Sequence, residues 1–302
     1  MSVVRLFRVC TGSMIPNRNV LLSLLFTLLA LIAPQSVATD PVRLVLGTGV
    51  EGGSFWSAGE RLQSVAQEMG LTVETLTSEG SLENLDELLD AGNAVNLAFV
   101  QADALQLHFN RYPRDRRKIE ILEKIGQQCL FVAARLKSRF DEVDDLQDVD
   151  RVQVGVDFAA TDVSLSIDYI NSRGDQFETA EIVYGNFEML ADEVYRDGEG
   201  ADVLVLLSGP RNHAEHLRYI LDNPHRYQLL DFESDLLSEP LPDGRRIYRE
   251  VKLALPGLSQ PIRTLCVSGL LVANRDKLPP RARNRLTDLV SYHWMRVYST
   301  RR

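Results

Sequence analysis

The chain has 302 residues, of which 45% are hydrophobic and 25% are charged, and its formal net charge at pH 7 is −9. This length predicts a globular protein with two lobes rather than one compact core. The acidic balance argues against a nucleic-acid partner, because phosphate binding requires a basic surface. It does not exclude a small anionic ligand, because donors inside a cleft matter more than net charge.

The first 38 residues have the pattern of an export signal. Three arginines precede an apolar run over residues 20–33, and the small residues Ser36 and Ala38 follow as a cleavage pattern. The run is shorter than the roughly 20 apolar residues that span a membrane. We therefore expect a signal peptide over residues 1–38, cleaved to release a soluble periplasmic protein. A retained N-terminal anchor is the alternative.

Three cysteines are present, and Cys10 would leave with the signal. An oxidising compartment permits a disulfide between Cys129 and Cys266, but spacing along the chain does not show that they are close. Both lie in predicted apolar strands, where a buried free thiol is the commonest fate. The prediction therefore favours free thiols, with the disulfide as the alternative.

Strands and helices alternate along the rest of the chain. Apolar strands are predicted over residues 42–47, 71–77 and 96–100, with amphipathic helices between them, and a second unit of this kind opens at residue 152. Such alternation predicts the α/β class, with parallel sheets covered by helices. Residues 226–259 contain three prolines and are predicted to be irregular.

Two segments, residues 129–146 and 268–286, share one design. Each segment is predicted to form an apolar strand that ends in an arginine, followed by a turn and a helix. One strand would leave the first lobe and the other would return to it. This arrangement predicts a hinge of two strands and a discontinuous first lobe.

Three turns where a predicted strand meets a helix are the strongest candidates for a binding site. They cover residues 47–56, 78–83 and 101–103. In an open α/β sheet, ligands bind at the carboxyl ends of the strands. Glycines allow close approach of the backbone, and the free N–H groups at a helix start favour anions. We therefore predict a small-molecule site whose ligand carries a carboxylate or another anionic group.

The first turn supplies four candidate ligand-binding residues, Gly49, Ser54, Phe55 and Trp56. One of the two aromatic side chains is expected to pack inside its lobe and the other to face the ligand. Ser54 is expected either to cap the helix or to bind the ligand, because these roles compete for one hydroxyl.

The other two turns supply Ser81, Gln101 and Asp103. The backbone amide of Ser81, with that of Leu82, is predicted to seat a carboxylate whether or not the serine hydroxyl caps the helix. Gln101 is predicted to contact a polar head group. Asp103 is expected either to pair with a ligand ammonium group or to cap the next helix.

The sequence supports other functional hypotheses less well. The glycines of the first turn, with Glu74, also match a dinucleotide-binding fingerprint, but that pattern is common by chance and export argues against NAD. His213 and His216 lack the spacing of the zinc-protease helix motif, so solvated positions are expected. There is no nucleophile elbow, no evident Cys–His pair and no catalytic pair of acids. We therefore predict no cofactor, no metal and no enzymatic activity.

The turns and hinge segments together resemble TAXI-type solute-binding proteins, the extracytoplasmic receptors of a class of TRAP transporters. The resemblance rests on GTGVEGGSFWSAGERL, on SEGSLENLDELLDAGNAVNLAFVQADAL, and on the two hinge segments. It covers the first lobe and both hinge strands, and the second lobe only in outline. It implies a two-lobed type II periplasmic-binding-protein fold, each lobe a mostly parallel sheet flanked by helices.

The resemblance also implies bounds and partners. The first lobe would comprise residues 39–136 plus 264–302, and the second residues 137–263. The ligand would be a glutamate-like amino acid or a dicarboxylate, delivered by a monomeric receptor to the membrane-embedded permease subunits of a TRAP transporter. The alternative is an exported accessory or sensory protein of the same fold with a changed or lost ligand site.

One turn departs from the family's pattern. The family usually has a Gly/Ser-rich turn ending in Gly-Thr after the first strand of the second lobe, whereas residues 157–162 here retain only Thr161. An anion held there would be repelled by Asp157 or Asp162 unless one is protonated or paired. Arg211 is predicted to replace the lost donors with a bidentate clamp for a carboxylate.

Overall fold

The computed structural model describes residues 43–158, 161–174, 176–196, 200–211 and 213–298. The predicted signal peptide lies outside these residues, as do positions 159 and 160 of the altered turn. Among the described residues, no helix combines the length and the apolar character needed to cross a bilayer.

The elements follow the predicted alternation. The strands are β1 Leu44–Gly47, β2 Val73–Leu76, β3 Leu97–Gln101, β4 Ile119–Arg135, β5 Val152–Asp157, β6 Ala180–Gly185, β7 Val203–Ser208, β8 Tyr227–Leu230, β9 Tyr248–Leu253 and β10 Ile262–Asn274. The α-helices are α1 Ser54–Glu68, α2 Ser81–Leu89, α3 Ala102–Arg111, α4 Thr161–Arg173, α5 Phe187–Arg196, α6 Glu215–Asp222, α7 Asp235–Ser238 and α8 Pro280–Tyr298. Short 3-10 helices cover Pro113–Arg117 and Val143–Leu146.

The strands form one sheet in the order β2-β1-β3-β10-β4-β7-β5-β6, with β8 beside β4 and β9 beside β10. Strand β1 is parallel to β2 and β3, and β5 is parallel to β6 and β7. Strands β4 and β10 are antiparallel to each of their partners. The molecule therefore has two parallel groups joined by two long strands. We call β1–β3 with α1–α3 the first lobe, and β5–β7 with α4–α6 the second lobe.

The two connecting strands bend at the same level of the sheet. Gly126 of β4 has a φ of +105°, which favours glycine. The register of β10 against β4 shifts between Ser268 and Leu270. At Gly269, between them, a Cβ atom would lie 3.0 Å from the Phe55 ring and 3.1 Å from Ile125. Gly126 thus permits the positive φ and Gly269 the close packing at the irregular point where both strands pass between the lobes.

A disulfide joins Cys129 of β4 to Cys266 of β10 immediately beside this bend. The two residues face each other in register across the antiparallel pair, and both are buried. The prediction that favoured free thiols is therefore wrong. The apolar strands around the cysteines did not reveal that these strands are neighbours, and only the pairing of the hinge strands brings the thiols together.

The segment expected to be irregular is more ordered than its prolines indicated. Residues 226–259 contain β8 and β9, which pair with β4 and β10 respectively. Strand β8 has only four residues, and β9 alternates buried and exposed positions imperfectly. Weak patterns of this kind do not predict strands from sequence, so this part of the prediction is wrong.

Candidate functional site

A cleft of about 1270 Å³ lies at the carboxyl ends of strands from both lobes. The turn after β1 and the turn before α2 form its wall on the first lobe. The hinge supplies residues 126–128 and Gly269 at its base. The start of α4, the loop after β7 and the start of α6 form the opposite wall. Ligands of open α/β folds bind at such an edge.

The first lobe presents the start of α1 to the cleft. The residue before this helix is Gly53, no side chain caps it, and its first turn holds no acidic residue. Ser54 is exposed and its Oγ accepts a hydrogen bond of 2.6 Å from Nε2 of Gln128 at the cleft base. The Gly53 amide donates to the carbonyl of Val50 at 3.0 Å, so the donors that lack an intrahelical partner at this helix start are the amides of Ser54, Phe55 and Trp56.

The second lobe presents two arginines. Arg211 follows β7 and Arg218 lies on α6, and both are exposed on the cleft wall. Neither forms an ion pair or a side-chain hydrogen bond with another described residue. Arg61 also reaches the wall, where its Nε donates to the carbonyl of Val297 at 2.6 Å. Guanidinium groups of this kind can bind carboxylates in a bidentate manner.

A chain of polar side chains runs inward from the cleft. Gln128 links Ser54 to Gln101, whose Nε2 donates to Oε1 of Gln128 at 3.0 Å. The Oε1 atom of Gln101 in turn lies 3.3 Å from the Oγ atom of Ser166 on α4. Gln101 is fully buried. It therefore connects the lobes in this structure rather than lining the open cleft.

Asp103 ends this chain in the interior. Its Oδ2 accepts hydrogen bonds from Ser166 Oγ at 2.7 Å and from Tyr248 Oη at 2.5 Å, and its Oδ1 accepts one from the amide of Ala104 at 2.8 Å. Burial raises the pKa of Asp103, against the lowering effect of these donors. Burial and the neighbouring Asp103 also raise the pKa of Tyr248 well above its ordinary value. The first lobe (α3), the second lobe (α4) and the strand β9 beside the hinge thus share one buried carboxyl group.

A second acid crosses between the lobes at the cleft. Oδ1 of Asp162 accepts a hydrogen bond of 2.9 Å from the backbone amide of Ser81. Beside it, the Thr161 hydroxyl donates to the carbonyl of Glu79. Burial raises the pKa of Asp162 to about 6, although the Ser81 donors oppose the shift. The amide that was expected to seat a ligand carboxylate therefore holds a carboxyl group of the protein itself.

The predicted site residues divide into two sets. Those on the cleft wall are Gly49, Ser54, Phe55, Thr161 and Arg211. Those away from it are Trp56, which is partly buried, and the fully buried Ser81, Gln101 and Asp103. The hydroxyl of Ser81 accepts from the amide of Gln101 at 2.9 Å instead of capping its own helix. Phe55 both lines the cleft and packs on Phe99, with ring centroids 5.7 Å apart.

Three residues of the site were not singled out as ligand or bridging groups from the sequence. A sequence pattern could have identified Gln128, because Gln127 and Gln128 are polar residues directly before an apolar strand segment. No sequence pattern identified Arg218, since a lone arginine on an amphipathic helix is ordinarily a solvated residue. Asp162 was recognised only as a source of repulsion, and its partner lies 81 residues away in the chain.

Glu74 and His216, which entered the dinucleotide and zinc hypotheses, have other partners in the structure. Glu74 accepts hydrogen bonds from the guanidinium of Arg43 on the neighbouring strand edge. His216 stacks on Phe187 with ring centroids 4.1 Å apart, and its Nε2 lies 3.7 Å from Oδ2 of Asp157. His213 lies on the cleft wall.

Comparison with known proteins reveals similarity in structure only. The sequence matches no protein-family model, and no curated protein matches it significantly. A TctC solute-binding protein from Polaromonas, solved without ligand, has a TM-score of 0.50 at 11% identity over 87% of this chain and 86% of its own. YhfZ from Shigella flexneri has a TM-score of 0.49 at 13% identity, covering 85% of this chain and 90% of its own. The substrate-binding protein of an amino acid ABC transporter has 0.44 at 12%, covering 84% and 95%.

The chain has the two-lobed type II periplasmic-binding-protein fold. The strand order, the two hinge strands and the likeness to the Polaromonas protein agree on this architecture. At such low identity the likeness extends to the fold and no further.

Proposed function

We propose that the protein is a periplasmic solute receptor of the TAXI type, which delivers a small ligand to the permease subunits of a TRAP transporter. The ligand is anionic or zwitterionic, in the class of glutamate-like amino acids and dicarboxylates. One observation carries the proposal: Arg211 and Arg218 line an interlobe cleft with no acidic partner among the described residues. An unpaired guanidinium in a cleft favours a carboxylate ligand.

Closure of the lobes about the hinge would report ligand binding to the permease. Ligand bound between the lobes would contact both walls, and differential affinity for the closed form would shift the population toward closure. Closure about β4 and β10 would bring both lobes into one surface for the permease. We propose a monomer, with lobes over residues 39–136 plus 264–302 and 137–263.

A second candidate is an accessory or sensory protein of the same fold with a changed ligand site. The position of Asp162 favours this candidate, because its carboxyl group accepts from the Ser81 amide where an anionic ligand would bind. Type II binding folds also host enzymes, so fold alone does not decide between binding and catalysis.

A thermal-shift screen tests the proposal. The purified protein would be heated with amino acids, dicarboxylates and keto acids. A ligand present at 100 times its dissociation constant adds about 2.7 kcal/mol of stability, so a rise in Tm is expected for at least one carboxylate compound. No rise with any of these compounds favours the second candidate.

A further inference from the structure

The bond between Asp162 and Ser81 is a contact of the two lobes and not a local turn. Asp162 lies in the first turn of α4 in the second lobe, and Ser81 begins α2 in the first lobe. The Oδ1 atom of Asp162 lies 2.9 Å from the Ser81 amide nitrogen. The neighbouring Thr161 hydroxyl bonds the carbonyl of Glu79 across the same boundary. Two adjacent residues of one lobe thus satisfy a donor and an acceptor of the other.

The first lobe is shaped to receive this carboxyl group. Gly80 precedes α2 with a φ of +132°, a conformation that other residues rarely adopt. A Cβ atom at Gly80 would lie 2.9 Å from Oγ1 of Thr161 and 3.0 Å from Oδ1 of Asp162. The missing side chain therefore makes the space that Thr161 and Asp162 occupy.

We propose that Asp162 is a built-in substitute for a ligand carboxylate, which binds the Ser81 amide and latches the two lobes together when no ligand is present. The latch also sets specificity. A ligand that enters the latched cleft finds the Ser81 amide occupied, so its anionic group binds on the side of Arg211 and Arg218. The specificity part rests on the proposed function, whereas the latch concerns the ligand-free protein alone.

The groups around Asp162 are mainly acidic. Asp103 lies on α3 and raises the pKa of Asp162, and Glu79 and Glu83 lie on the turn before α2 and on α2 itself. Glu83 accepts a hydrogen bond from the Glu79 amide at 2.6 Å and is exposed. The cations that line the cleft are Arg61, Arg211 and Arg218, and none of them forms an ion pair with Asp162 among the described residues. Closure therefore brings a carboxyl group toward other acids and away from water.

This environment gives the latch a pH dependence. A carboxyl group whose pKa is higher in the closed form than in the open form binds a proton on closure. Closure is then favoured as pH falls toward the raised pKa of about 6 and below, and it weakens as pH rises through that value. A neutral carboxyl group still accepts the Ser81 hydrogen bond through its carbonyl oxygen.

Small-angle X-ray scattering of the ligand-free protein at pH 5 and pH 7.5 tests the latch. The variants are Asp162→Ala, which removes the carboxyl group, and Asp162→Asn, which keeps an acceptor without a charge. Asp168→Ala, on the exposed face of the same helix, is the matched control. Circular dichroism establishes that each variant is folded.

We expect Asp162→Ala to have a larger radius of gyration than wild type at pH 5. Asp162→Asn should remain compact at both pH values, while wild type and Asp168→Ala should expand between pH 5 and 7.5. An Asp162→Ala protein with wild-type dimensions overturns the latch. An Asp162→Asn protein that expands with pH as wild type does overturns the assignment of the titration to Asp162. Because no ligand is present, neither result depends on whether the receptor proposal holds.

The specificity part is tested separately with succinate and L-glutamate. If the latch excludes a carboxylate from the Ser81 amide, Asp162→Ala should bind at least one of them at least tenfold more tightly than wild type does. Equal or weaker binding by the variant contradicts the specificity part while leaving the scattering result intact.

Discussion

Tyr248 and Asp103 are 145 residues apart in the chain, yet the tyrosine hydroxyl lies 2.5 Å from Oδ2 of the aspartate. Tyr248 belongs to β9 and Asp103 to the first turn of α3, so the bond joins the strand beside the hinge to the first lobe. Both residues are fully buried. Because water is excluded, each donor to this carboxyl group matters more than it would at the surface.

Tyr248→Phe tests the strength of this bond. The change removes one donor from a buried carboxyl group, and leaving such a group undersatisfied lowers stability by about 1–3 kcal/mol. Urea denaturation should show this loss in the free energy of unfolding. Tyr184→Phe is the control, because Tyr184 is half exposed and its hydroxyl donates to Oγ of Ser164, likewise near the surface, at 3.1 Å. Equal effects of the two changes would contradict the buried role of Asp103.

The Cys129–Cys266 disulfide should stabilise the whole molecule. It closes a separation of 137 residues, and in the chain-entropy model a loop of that size contributes up to about 5 kcal/mol. Unfolding of wild type in urea should shift to a lower midpoint when reductant is present. The Cys129→Ala/Cys266→Ala protein should unfold at that lower midpoint and show no response to reductant. A wild-type midpoint unchanged by full reduction would contradict this expectation.

Gly80→Ala separates backbone strain from the interlobe contact. The alanine must adopt a φ of +132° and a ψ of −155°, a conformation that is essentially restricted to glycine and lowers stability by about 1–3 kcal/mol, and its Cβ would displace Thr161 and Asp162. Gly244→Ala also imposes a positive φ on alanine, here +81°, but nothing lies within 4 Å of its Cβ. Both variants should lose stability in urea, and only Gly80→Ala should expand in solution scattering. Equal dimensions for the two would mean that the turn tolerates the side chain.

The raised pKa of Asp162 predicts how Asp162→Asn changes stability with pH. The partly buried carboxyl group of Asp162 in wild type is charged above about pH 6 and neutral well below it. The unfavourable contribution of the charge is therefore absent near pH 4 and present near pH 7. One pKa unit corresponds to about 1.4 kcal/mol. The free energy of unfolding of Asp162→Asn, relative to that of wild type, should therefore rise by about 1–3 kcal/mol as the pH increases from 4 to 7. Parallel stability curves in urea would show that Asp162 titrates normally.

Much of the architecture follows from sequence because the relevant signals are local. The alternation of apolar strands and helices predicted both parallel groups, and the repeated strand–turn–helix design predicted the two hinge strands. The turn sequences predicted Gly49, Ser54 and Phe55 near the carboxyl end of a strand. In the structure these residues line the cleft. Each of these signals spans no more than about 20 residues of chain.

The contacts between distant segments could not be predicted in the same way. The disulfide depends on the register of β10 against β4, and the Asp162–Ser81 bond depends on how one lobe meets the other. From their position at the end of a buried strand, Gln101 was predicted to contact the ligand, and Asp103 either to pair with a ligand ammonium group or to cap the next helix. The same position, with Ser166 and Tyr248 arriving from elsewhere in the chain, makes them bridges between the lobes.

The most direct test of the receptor account is calorimetric titration of the carboxylate ligand found by thermal shift. Wild type, Arg211→Ala, Arg218→Ala and the control Arg249→Ala would be compared, Arg249 being exposed on β9 outside the cleft wall. Loss of a hydrogen bond to a charged group is worth about 1.5–3 kcal/mol, so we expect affinity to fall at least tenfold for one or both cleft variants. Arg249→Ala should bind as wild type does. Wild-type affinity in both cleft variants would contradict the placement of the ligand in this cleft.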